Sequence, residues 1–116
     1  MGYNLENKYN NSFTCNNWGF QRILELAIAC GWEPDGTSLD GDESWDCNDY
    51  ESQCGQMVSQ LDAKEIYRVL SNLLVTHKSM EGKRIAIEKD EIDLVKEFLD
   101  FIKPEGTKNA CSFSIQ

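Results

Sequence analysis

The sequence predicts an α+β domain of about three helices packed on a small antiparallel sheet, and three observations predict it. Three segments carry apolar residues at three- and four-residue spacing, and short stretches near both termini alternate polar with apolar residues. There is also no regular strand–helix alternation of the kind that builds parallel sheets. With 116 residues the chain is sized for one globular domain, 1–116, able to bury roughly 60–70% of its unfolded surface.

Residues 1–10 are polar and rich in Asn and Tyr, so flexibility is expected there unless they dock on a later part of the chain. Ser12 to Cys15 alternates and reads as a short strand. The first helix follows, capped by Asn16 or Asn17 and starting near Trp18, with Phe20, Ile23, Leu24, Ala27 and Ile28 on its core face. Gly31 stands where the chain must leave the helix, Trp32 can fold back on the last turn, and Pro34 prevents renewed helix. Trp18 and Trp32 so bracket the helix and read as aromatics packed over its two ends rather than as a binding surface.

From Ser38 to Gln56 helical periodicity is lost. The stretch is a long loop or contains one short hairpin, and a strand is added at Gln56 to Val58. The second helix opens at Ser59, where Asp62 in the N3 place makes a capping-box variant and complements the helix dipole. Leu61, Ile66, Leu70, Leu73 and Leu74 form its apolar stripe, which fades near His77. Arg84 to Glu88 alternates through Ile85 and Ile87 and is read as a strand. Asp90 is placed as the cap of a third helix built on Ile92, Val95, Phe98, Leu99 and Ile102, ended by Pro104 and Gly106. Cys111, Phe113 and Ile115 then alternate as a half-buried strand expected to pair with Phe13 and Cys15.

Twenty acidic against eleven basic residues give a net charge of −9. Nucleic-acid phosphate and anionic membrane surfaces are repelled by such an exterior, whereas a basic protein partner, a cation or solubility alone would suit it. No apolar run reaches the roughly 18 residues that span a bilayer, and the first ten residues lack the basic and apolar regions of a secretory signal. A cytoplasmic location is therefore expected. The odd number of cysteines without regular spacing fits a reducing compartment, with Cys30 and Cys111 as small core residues.

Chemical motifs are sparse. Calcium would suit the carboxylates of residues 35–51, and from Asp40 the loop pattern places Asp42 third and Glu51 twelfth. Trp45, however, stands where the turn requires glycine. Zinc would have to combine Cys47 and Cys54, spaced more widely than paired ligands usually are, with Cys15 and His77. His77 is the one histidine, so any Ser–His or Cys–His mechanism must run through it, yet a place in the last turn of a helix accounts for it more simply. No glycine-rich phosphate loop occurs, and no cofactor is indicated.

The runs Trp18-Gly19-Phe20, Leu24-Glu25-Leu26-Ala27 and Gly31-Trp32-Glu33-Pro34-Asp35-Gly36-Thr37, followed by Gly55-Gln56-Met57-Val58 and Asp62-Ala63, resemble a group of small uncharacterised bacterial proteins that form a domain of unknown function. The resemblance covers the first two helices and the segment between them, and rests chiefly on the Gly-Trp-x-Pro-x-Gly-Thr run. It implies a bacterial origin and supplies no catalytic residue.

Charge and loop length together point to a protein-interaction module, with an immunity- or antitoxin-like protein as one form of it. Asp40, Asp42, Glu43, Asp46 and Asp49 are expected to steer a basic partner, with Trp45 as the apolar anchor among them. The alternative is a cation-binding or enzymatic domain using the same carboxylates, and a homodimer is a third reading.

Overall fold

The structure, a computed structural model, describes residues 2–39, 42–47, 50, 53 and 55–116; at 39 and 42–47 it describes the backbone alone. In chain order the elements are β1 (Gly2–Asn7), β2 (Ser12–Asn16), α1 (Asn17–Ala29), β3 (Thr37–Leu39), β4 (Asp42–Cys47), β5 (Gln56–Val58), α2 (Gln60–Thr76), α3 (Lys89–Ile102) and β6 (Phe113–Ile115). Among the described residues the strands form one sheet in the order β2-β1-β6-β5-β3-β4, with every neighbouring pair antiparallel. The three helices pack on this sheet, and the architecture is α+β as the sequence predicts.

Strand alternation sorts the two faces. Leu5 lies opposite Ile115, which lies opposite Gln56; Asn7 lies opposite Phe113, then Val58, then Thr37. All seven are buried, whereas Glu6, Ser12, Thr14 and Ser38 are exposed. This is the pattern of an antiparallel sheet with one face on the core and one towards water. Under the helices Phe13, Phe98, Phe101 and Phe113 form a ring cluster with centroids 5.7 to 6.4 Å apart.

The polar segment at the start of the chain becomes β1, an interior strand. Its turn to β2 is held by Asn7, whose Oδ1 accepts from the N–H groups of Tyr9 (2.9 Å) and Asn11 (3.2 Å) while Nδ2 donates to the Phe101 carbonyl at 2.8 Å. Because this hairpin is local, β1 takes the place beside β2. The pairing expected between β6 and the Phe13–Cys15 strand does not occur; β6 pairs with β1 and β5 instead.

Asn16 caps α1, its side chain accepting from the Gly19 N–H at 2.7 Å. At the other end the N–H of Trp32 reaches the Ala27 carbonyl (2.9 Å) and that of Gly31 the Ile28 carbonyl (3.0 Å). These two bonds close the helix through a left-handed residue, and Gly31 takes a φ of 113° that a side chain would oppose. Trp32 is buried as expected. Trp18 and Ile28 are not, being 61% and 53% exposed. Both stand five residues from Ile23, at the centre of the buried stripe, and five residues turn a side chain through about 140°. Leu61 in α2, 58% exposed, stands five residues from Ile66 and is excluded for the same reason.

The cap of α3 is Glu88 rather than Asp90, which lies in the first turn. The Glu91 carboxylate accepts from the Glu88 N–H at 3.0 Å and from Nε of Arg22 on α1. Arg84 to Glu88 is not a strand: a single bridge joins Lys78 to Arg84, and Ile85 and Ile87 sit half-buried against the core. Packing on the core satisfies the same alternation that a sheet would.

Burial alone would raise the Glu91 pKa, but the bonds from Arg22 and the Glu88 N–H, with the Arg22 charge, outweigh it and hold the carboxyl below its ordinary range. A folded-state pKa below the unfolded value of about 4.3 gives stability that is full above that value and is lost as pH falls through the folded one. Glu91→Gln should therefore destabilise the protein by about 1–3 kcal/mol at pH 7, with the gap narrowing as the pH is lowered. Denaturant unfolding of both forms at pH 7 and pH 3.5 checks this, and an unchanged gap would remove the Arg22–Glu91 pair as its cause.

Candidate functional site

At the start of α2 Ser59 acts as N-cap, its Oγ accepting from the Asp62 N–H at 3.1 Å. In a full capping box the side chain three residues on would reach back to the cap's own N–H. Asp62 is a methylene shorter than glutamate, and its carboxylate is turned to other donors. It is 1% exposed. Oδ1 accepts from Trp32 Nε1 at 3.1 Å and from the Asp35 N–H at 2.9 Å, and Oδ2 accepts from the Tyr50 hydroxyl at 2.5 Å. The Tyr50 oxygen in turn accepts from the Gly36 N–H at 2.9 Å.

The Trp32 and Tyr50 rings meet edge to face, centroids 5.4 Å apart, and shield the carboxylate. Gly36 enters the arrangement with a φ of 120°, a conformation that glycine adopts without steric cost. Burial first, then the bond to Asp62, push the Tyr50 pKa well up against the smaller opposing effect of the Gly36 N–H. Tyr50 thus stays a proton donor. A buried carboxylate saturated by three donors is a structural clamp, since a substrate would have to displace one of them. The glycine, tryptophan and aspartate spacing of residues 31–37 is accounted for by this clamp.

The clamp stands at the foot of the predicted acidic site. Asp42, Glu43, Trp45 and Asp46 lie on β4, the outermost strand of the sheet, where Cys47 pairs with Thr37 and Asp42 with Leu39 across a register shift. Of the two forms expected for residues 38–56, the hairpin is realised, as β3 and β4. Asp40 and Asp49 lie outside the described residues, as do Glu51 and Cys54. In the sequence Tyr50 carries no signal of its own, and Asp62 reads as a residue of the helix cap. The available signal was an aspartate where a capping box wants glutamate.

Among the described residues no group of three or more His, Cys, Asp and Glu side chains could hold a metal ion. Cys15, Cys30 and Cys111 are free thiols. Burial pushes Cys15 up to about 11 and raises the other two as well, which leaves little thiolate for nucleophilic work at neutral pH. His77 is exposed in a left-handed conformation at the end of α2. No helix among the described residues is long and apolar enough to cross a membrane. Compared with known protein families, curated proteins and solved structures, the chain matches none.

Asp62→Ala should cost about 3–5 kcal/mol, because three buried donors lose their acceptor together. Asp62→Asn, which keeps one acceptor oxygen, should cost less, and Tyr50→Phe about 1–3 kcal/mol. Denaturant unfolding followed by tryptophan emission checks the order of the three; a neutral Asp62→Ala would show that the carboxylate carries no part of the fold.

Proposed function

We propose that the protein is an acidic interaction module whose β3–β4 edge receives a basic protein partner in the cytoplasm. The observation that carries this reading is that the backbone of residues 42–47 forms the outer strand of the sheet, with β3 as its neighbour, in the most acidic segment of a chain of net charge −9. An outer strand offers unpaired backbone groups along its free side. Acidic residues on it both discourage self-pairing between copies and attract a cationic surface.

In this reading Asp40, Asp42, Glu43, Asp46 and Asp49 steer the partner, and Trp45 supplies the apolar contact at the centre. The resemblance to small bacterial proteins gives it a bacterial setting, and a role of the immunity or antitoxin kind is consistent with one tight basic partner.

The test is co-purification of the tagged protein from its own host at low and high salt. One stoichiometric basic protein should be retained and then released as salt rises. Trp45→Ala should weaken that complex by at least 2 kcal/mol, or about thirtyfold. Equal affinity of the wild-type and Trp45→Ala proteins would remove Trp45 from the interface. A rise in melting temperature with millimolar calcium or manganese and no bound protein would instead favour cation binding through the same carboxylates.

A further inference from the structure

We propose that a lysine-lined cleft binds a compact polyanion carrying two or more phosphate groups. The cleft, shallow and open to solvent, offers about 630 Å³ between the β1–β2 turn, the first turn of α2 and the segment after α3, with Lys8 and Lys108 on its walls. A recess of about 120 Å³ adjoins it through Lys108 and Asn109 and adds Lys64 and Lys103. Four of the eleven basic residues of the chain so gather in one place.

These four are not committed elsewhere. The ion pairs among the described residues engage Arg22, Arg68 and Lys83, and none engages a lysine of the cleft. Lys103 Nζ stands 4.9 Å from the centroid of the Tyr67 ring and Lys8 Nζ 5.3 Å from that of Tyr9. Each ring holds an ammonium in position while leaving its N–H donors free for an anion. Glu105 is the carboxylate on the wall, so the lining carries a net positive charge within a strongly acidic protein.

Charge also limits the size of the ligand. Interactions between exposed charges fade over about 8–10 Å at ordinary salt, so a ligand that stays within the cleft meets the lysines while a long phosphate polymer runs onto acidic surface. A single phosphate group engages too few of the four ammonium groups. A volume of this size suits a small ligand, and the side-chain amides of Asn11, Gln60 and Asn109 offer neutral hydrogen-bonding groups beside the lysines.

Calorimetric titration with tripolyphosphate at about 50 mM salt tests the proposal, with orthophosphate, ATP and a single-stranded RNA as comparisons. One saturable site for tripolyphosphate is expected, weakened about tenfold or more in Lys8→Gln/Lys64→Gln/Lys108→Gln at two- to threefold per exposed charge. Lys78→Gln/Lys83→Gln should leave it unchanged. ATP binding more tightly than tripolyphosphate would assign a nucleotide, and equal binding would assign the phosphates alone. Should the triple variant fail to fold by circular dichroism, Lys108→Gln alone should still show a two- to threefold loss. Absence of tripolyphosphate binding, equal loss in both lysine variants, or tighter binding of RNA would each overturn the proposal.

Discussion

The fold turns on one desolvated charge. Burying a carboxylate is costly unless donors replace the water it loses, and Asp62 obtains them from chain positions far apart: the Trp32 ring, the Asp35 backbone and the Tyr50 hydroxyl. Residues 32–36 lead directly into β3, and Tyr50 follows β4. One carboxylate on α2 therefore fixes both the entry to the acidic hairpin and its exit. The edge of the sheet is anchored from beneath, through polar contacts sealed by two aromatic rings.

Much of this was legible in the residues. The caps at Asn16 and Ser59, the glycine stop at Gly31 and, apart from Ile28 and Leu61, the apolar stripes of the helices are short-range signals that the fold realises. What escaped has a common cause in contacts across the sequence. The central place of β1 depends on β6, more than a hundred residues away, and Glu91 draws Arg22 from another helix. Tyr50 and Asp62 acquire their roles only when brought together in space. The errors at Trp18, Ile28 and Leu61 are of another kind: each residue is apolar and near a stripe, yet five positions from its centre. Alternation at Ile85 and Ile87 is likewise ambiguous, because an extended chain lying on the core needs it as much as a strand does. The side chains of the acidic segment lie beyond what the structure describes, so the site read from charge rests on the place of its backbone at the sheet edge.

Charge is distributed unevenly over this frame. Four strand spacings of about 4.8 Å separate β1 from β4, close to 20 Å across the sheet, or about two screening lengths at physiological salt. Lys8 in the β1–β2 turn and the acidic strand β4 are therefore largely screened from one another. Within a net charge of −9, four lysines are gathered between the β1–β2 turn, α2 and the segment after α3.

The position of β6 bears on how the molecule is made. It lies between β1 and β5, so without it the sheet exists as two pieces, a hairpin of β2 and β1 and a three-stranded group of β5, β3 and β4. β1 is synthesised first and β6 last of the elements, and at about 5–20 residues per second the interval is on the order of ten seconds. During that time β1, accompanied from about half-way by β5, presents an open edge beside unfinished apolar surface, the circumstance in which strands of neighbouring nascent chains pair with one another. Three residues made after every other strand thus join the two pieces of the sheet.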